Sequence, residues 1–279
     1  METKRPKNGW ILTIIFSIIS IFYVYPIVIV VINAFKKNLY ITREPFKLAM
    51  GKTFVKLKNF DVGIKKIKFF ECFAYSTVIT VFSVILILLC TSMCAWFITR
   101  VKNKMTSIIY YLCICSMIVP FQMVMFTLSK VADSLNLGNP LGITIVYLGF
   151  GAGLAVFMFC GFVKGIPLEI EEAALIDGCN PIQNFFKVVL PVLKPTYISV
   201  AILEAMWIWN DYLLPYLVLD IKKYKTIPIA VQYLKGGFGS IDWGAMMAML
   251  LLAIVPIIIF YLVCQKFIIE GVVAGAVKG

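Results

Sequence analysis

The chain has 279 residues, of which 61% are hydrophobic and 14% charged, with a mean hydropathy of +0.94. A water-facing surface needs more charge than this, so a soluble domain is excluded. The formal charge of +12 does not indicate a nucleic-acid binder, because the basic residues lie in segments connecting long apolar runs rather than on one soluble face. Histidine is absent, which removes metal catalysis by imidazole ligands.

Stretches without Asp, Glu, Lys or Arg cover residues 8–35, 72–99, 105–129, 134–163 and 243–265, and a sixth, 195–219, is broken only by Glu204 and Asp211. Each exceeds the roughly 20 residues a helix needs to cross about 30 Å of hydrocarbon. Backbone groups in lipid must be satisfied within the segment, so the expectation is an all-α integral membrane protein with six transmembrane helices.

The first run follows Lys4, Arg5 and Lys7. It is too long for a signal peptide and lacks a small-x-small cleavage site, so residues 1–35 read as a retained terminus and first span. Residues 36–71 form a basic connector, with one amphipathic helix expected near Phe60 to Phe70. Residues 72–268 make up the membrane core, and 269–279 a short tail. The cysteines lie mostly within spans (Cys90, Cys94, Cys113, Cys115, Cys160 and Cys264) and read as small hydrophobes. Gly149 with Gly153, and Gly161 with Gly165, read as positions of close helix packing.

A polar island separates the fourth and fifth spans. Lys164 and Gly165 end the fourth span, and Pro167 stands where a helix starts. Glu169, Glu171 and Glu172 crowd that helix's first turn, where the dipole favours them. Ala173 and Ala174 allow close approach of a partner, and Gly178 supplies a left-handed helix end. Asn180-Pro181 signals a second helix, with Phe185, Phe186 and Val189 on its apolar side, ended by Pro191 and Pro195.

Charge bias alone points the wrong way. Ten Lys and Arg residues lie between Lys36 and Lys68, so positive-inside reasoning would invert the chain. The short connector Arg100-Val101-Lys102-Asn103-Lys104 opposes that inversion.

In the fifth span Glu204, Trp207 and Asp211 are spaced three and four apart and share a helix face. A carboxylate at that depth should face protein or a wet pathway. Together with Asn210 they are candidates for a translocation pathway, where an indole beside carboxylates suits a sugar. The rival reading is that they fix helix packing and an outer gate. Gly149-Phe150-Gly151-Ala152-Gly153 is no phosphate loop, and no Gly-x-x-x-x-Gly-Lys-Ser/Thr occurs.

Glu172-Ala173-Ala174, three residues, Gly178, nine residues, then Val188-Val189-Leu190-Pro191 resembles the cytoplasmic docking loop of binding-protein-dependent ABC importers. Ser134 to Gly142, Trp207-Ile208-Trp209-Asn210-Asp211-Tyr212-Leu213-Leu214-Pro215 and Gly271 to Gly279 are similar to segments of the carbohydrate branch, the last to the tail of its maltose-type second permease subunit. Pro140 departs from that pattern, where threonine is usual. The resemblance covers residues 70–279.

It implies a type I ABC importer permease fold in a prokaryotic cytoplasmic membrane, with docking loop 165–195 and the tail 269–279 on the cytoplasmic side and the connector 36–71 extracytoplasmic. The ATPase-docking residues would be Glu171, Glu172, Ala173, Ala174, Asp177, Gly178, Leu190 and Pro191. Gly275, Lys278 and Gly279 would reach between the ATPases. The implied partners are a second homologous permease, ABC ATP-binding subunits that carry ATP and Mg, an extracytoplasmic sugar-binding protein and a sugar; this chain itself carries no cofactor and is no enzyme. The alternatives are an ion-coupled secondary transporter using Glu204 and Asp211, an ABC permease for a non-sugar solute, and a membrane scaffold without transport.

Overall fold

Fourteen α-helices account for nearly all regular structure in the computed structural model, which describes residues 9–235 and 241–276, with side chains through Lys266. In chain order they are α1 (Gly9–Ala34), α2 (Asn38–Arg43), α3 (Lys58–Ile67), α4 (Phe69–Arg100), α5 (Lys104–Ile118), α6 (Phe121–Ser134) and α7 (Gly142–Val163). There follow α8 (Leu168–Ile176), α9 (Pro181–Asn184), α10 (Leu190–Val192), α11 (Lys194–Asn210), α12 (Leu213–Val218), α13 (Ile227–Gln232) and α14 (Trp243–Ala276). No strand occurs among the described residues, only isolated bridges at Lys36–Phe54 and Lys235–Ile241.

Four helices are long and apolar enough to cross a membrane singly: α1, α4, α7 and the Trp243–Lys266 part of α14. The other two expected spans are bent pairs. Between α5 and α6 the chain turns through 108°, so the continuous apolar run 105–129 is not one straight helix. Pro120 causes the break: it offers no N–H to the helix ladder and forces the residue before it out of the helical region. Val119 accordingly has φ −72° and ψ 115°. The second bend, of 78°, falls at Leu193 between α10 and α11.

Two further boundaries differ from expectation. The fourth span begins at Gly142 rather than at 134, because Asn136 has φ +54° and the Asn139 side chain accepts from the N–H groups of Leu141 and Gly142 (3.2 and 2.9 Å). The fifth ends at Asn210, where the Asp211 carboxylate accepts from Leu213 N–H (3.0 Å) and starts α12 instead.

The chain divides into two compact units. One comprises residues up to Phe70 with Ala230–Pro256, the other Glu71–Ile229 with residues from Ile257 onward. In the first unit, α2, a 3₁₀ turn at Gly51–Thr53 and α3 occupy the 36–71 connector. Lys36 is not one more exposed charge there. It is 1% exposed, and its ammonium donates to the carbonyls of Glu44 (2.9 Å) and Lys47 (2.6 Å). Burial pulls its pKa below the usual lysine value, against the opposing pull of Glu44.

The second unit holds the larger core, built from Ile79, Ile87, Tyr147, Val156, Phe159 and Phe185. Close packing of α7 uses Gly153, as expected, and Gly151 in place of Gly149; an added Cβ at Gly149 or Gly161 would meet nothing within 4 Å. A Cβ on Gly151 would lie 2.6 Å from Ile87 Cδ1 and 2.9 Å from Glu204 Oε2, and one on Gly153 would lie 2.7 Å from the Cys113 carbonyl. Two glycines two residues apart face different neighbours, α4 with α11 on one side and α5 on the other, whereas a four-residue spacing serves only one helix.

Candidate functional site

The polar island between the fourth and fifth spans folds as expected into short helices. Pro167, with φ −56° and ψ 134°, precedes α8, whose first turn carries Glu169 and Glu171. Its far end is closed by two bonds. Cys179 N–H donates to Ala174 O (3.0 Å) and Gly178 N–H to Leu175 O (3.1 Å). This pairing places the residue after the cap in the left-handed region, and Gly178 has φ +87°. The next helix opens with a reciprocal cap: Asn180 Oδ1 accepts from Gln183 N–H (2.8 Å), and Gln183 Oε1 accepts from Asn180 N–H (3.0 Å). Pro181 stands at the first helical position.

Pro191 does not end that helix. Phe185–Val189 form a widened π turn, closed by Leu190 N–H on Phe185 O, and the helical path continues through Val192. Pro191 has no N–H to contribute to the ladder, and a π turn is how a helix accommodates such a local mismatch. The chain breaks at Leu193 instead, and Pro195 lies in the first turn of α11.

The two adjacent glutamates have opposite environments. Glu171 is 4% exposed. Its Oε1 accepts from Arg100 Nε (2.9 Å) and Nη2 (2.6 Å), and its Oε2 accepts from Trp96 Nε1 (2.8 Å). Arg100 Nη2 also donates to Ile166 O at 2.9 Å. Asn184, itself buried, donates to the Glu171 carbonyl (3.4 Å), and Phe185 packs on Trp96 with ring centroids 5.5 Å apart. Glu172, Ala173, Asp177 and Gly178 are exposed, Ala174 is buried and Leu190 is half-buried beside exposed Pro191.

The outward face also carries apolar side chains. Ile176 is 86% exposed and Ile182 65%, and Leu175 and Phe186 are exposed beside them. Large apolar side chains left exposed on a loop that also exposes carboxylates make it a candidate interaction surface.

The fifth-span candidates are held by α7. Glu204 is buried, with its Oε2 lacking a hydrogen-bond partner, and lies against Gly151 and near Ile87. Trp207 meets Tyr147 edge to face at 5.5 Å. Tyr147 Oη donates to Asp211 Oδ2 at 3.1 Å, while the other Asp211 oxygen caps α12. Asn210 turns back to Met206 O (2.7 Å). The shared face therefore meets Tyr147 and Gly151, one turn apart on α7, while Trp207 and Asn210 remain exposed.

Of the tail candidates, Gly275 lies in α14, which continues through Ala276. Its surroundings, and Lys278 and Gly279 altogether, are outside the described residues. No group of three or more His, Cys, Asp or Glu side chains that could hold a metal occurs among the described residues.

Sequence reasoning missed Trp96 and Tyr147 and used Arg100 only as a sign of orientation. Trp96 and Arg100 are four apart at the end of a charge-free span, and that spacing puts two donors on one helix face.

Comparison with known proteins bears on this arrangement. A family profile described as "Binding-protein-dependent transport system inner membrane component" matches residues 87–273. The chain is 36% identical, over 99% of both sequences, to the "Probable starch degradation products transport system permease protein AmyC" of Thermoanaerobacterium thermosulfurigenes. It is 33% identical, over the full length of both, to the "Multiple sugar-binding transport system permease protein MsmG" of Streptococcus mutans. Its fold is similar to that of a chain in the crystal structure of a bacterial ABC transporter involved in the import of the acidic polysaccharide alginate. The TM-score is 0.79, at 19% identity, covering 95% of this chain and 99% of that one.

Proposed function

The chain belongs to the family of binding-protein-dependent transport system inner membrane components, and on that premise we propose that it is the permease subunit of an ATP-driven importer of a sugar or oligosaccharide. It is a multi-pass membrane protein with the type I permease fold. ATP and Mg belong to a separate ATP-binding subunit, and an extracytoplasmic binding protein delivers the sugar to this chain and a second homologous permease. The ion-coupled and scaffold alternatives give way to the family assignment.

The observation that carries the docking role is the division of labour in α8. Glu171 is turned inward and bonded to α4, while Glu172, Asp177, Leu175 and Ile176 are left on the surface. We assign the ATPase contact to that outward face, with Ala173 allowing close approach and Gly178 setting the turn. Glu171 holds the element in place and does not itself touch the partner. Leu190 and Pro191 shape the second helix.

The sugar assignment rests on the names of the relatives. A non-sugar solute is the second reading, and titration of the cognate binding protein with candidate ligands decides between them. The docking role is tested by Glu172→Lys in the assembled importer. Transport should become uncoupled, with ATP hydrolysed without sugar uptake or not hydrolysed at all, while the complex still purifies intact. Full uptake by that variant would overturn the assignment.

A further inference from the structure

The α4–α5 turn, the start of α5 and the end of α7 enclose an open cavity of about 800 Å³ that no proposed transport step uses. Lys102, Lys104 and Lys164 line it, and no carboxylate does. All three lysines are exposed. The cavity lies on the docking-loop side, since Arg100, two residues before Lys102, is bonded to Glu171 of α8.

Three like charges around one cavity need a reason. Lys164 follows the last turn of α7 and Lys102 follows that of α4, where cations offset the negative helix ends. Lys104 has no such account. It is the first residue of α5, whose first turn contains no acidic residue, so its ammonium sits beside the positive end of a helix dipole and near two other cations. Water screens that arrangement and Asn103 Oδ1 caps one N–H of the turn (Thr106, 2.8 Å), but an entering anion would still be favoured there.

The remaining surface says which anion. Below Lys104 on α5, Ile108 (59% exposed), Tyr111 (68%) and Leu112 (65%) form an exposed stripe at helical spacing, and Ile108 and Tyr111 are themselves part of the cavity wall. A soluble phosphate would have no use for that stripe, whereas an acyl chain would lie along it. From the three lysines, the helix end and the adjoining stripe, we infer that this cavity binds the phosphate of an anionic phospholipid from the leaflet on the docking-loop side. Basic pockets between membrane helices recognise such headgroups through the same combination of charge and apolar wall.

The test is native mass spectrometry of the complete importer, titrated with phosphatidylglycerol or phosphatidylcholine. The wild-type complex should retain phosphatidylglycerol in preference. Each lysine changed to glutamine should weaken that retention about fivefold, and the combined Lys102→Gln, Lys104→Gln, Lys164→Gln variant should lose the preference. Lys104→Arg should keep it, as should Lys52→Gln with Lys58→Gln, which removes charge elsewhere. Equal retention of the two lipids by the wild type, or an undiminished preference in the triple variant, would overturn the inference. Displacement of the lipid by millimolar inorganic phosphate would replace it with a soluble-anion site.

Discussion

Arg100→Ala is the most informative single change, because its cost can be worked from the geometry. The substitution removes two hydrogen bonds to Glu171 Oε1 and one to Ile166 O, leaving a carboxylate that is 5% exposed with Trp96 as its remaining side-chain donor. Removing one partner of a buried ion pair costs about 3–5 kcal/mol. Arg100 itself is 19% exposed, so water recovers part of the loss and about 3 kcal/mol is the expected figure. At about 1.4 kcal/mol per factor of ten, detachment of α8 from α4 becomes roughly 150-fold more frequent. Hydrogen–deuterium exchange of the reconstituted importer reads this directly. Protection should fall across residues 168–189 and hold in the middle of α4 and α7. Glu171→Gln, which keeps the shape and an acceptor, should give a smaller loss of about 1–2 kcal/mol. The pair Arg100→Met with Glu171→Leu should cost less than the sum of Arg100→Met and Glu171→Leu measured singly. Exchange within twofold of wild type in Arg100→Ala would refute the reasoning, and so would a loss spread evenly over the whole unit.

Three other substitutions follow from local geometry. Gly178→Ala meets no neighbour within 4 Å but keeps φ +87°, so it should cost about 1 kcal/mol through backbone strain alone; Gly178→Asn should recover most of that, both read as exchange at residues 177–179. Asn180→Ala deletes a reciprocal cap and should cost about 1 kcal/mol of protection over residues 181–189. Gly151→Ala forces a Cβ to 2.6 Å from Ile87 and 2.9 Å from Glu204, so about 1–3 kcal/mol of destabilisation should appear in thermal unfolding of the purified complex. Gly149→Ala and Gly161→Ala are the controls and should be neutral or slightly stabilising.

Local signals in the sequence were reliable where the physics is local. Pro167, Gly178 and Asn180-Pro181 stand where the chain needs a helix start, a left-handed residue and a capped restart, and the backbone follows them. Hydropathy revealed six apolar runs but not their direction, because a run of apolar residues stays apolar through a 108° turn at Pro120. The adjacent Glu171 and Glu172 could not be told apart, since what separates them is Arg100, 71 residues earlier. The same blindness to distant partners hid the burial of Lys36 and put one packing glycine at 149 instead of 151. The likeness of the fifth-span signature to a sugar branch was visible, yet the contacts of Trp207 and Asp211 with Tyr147 were not, because composition does not report what a helix face touches.

The clamp on Glu171 has a mechanical corollary. The chain on either side of α8 and α9 runs covalently into α7 and, through α10, into α11, whereas α4 is joined to them by side-chain bonds of 2.6–2.9 Å. A tug applied at the outward face is thus shared by three membrane helices, two on peptide bonds and one on a detachable link. That link behaves as a shear pin: it sets the largest load the handle can pass to α4 before the handle swings free on the other two.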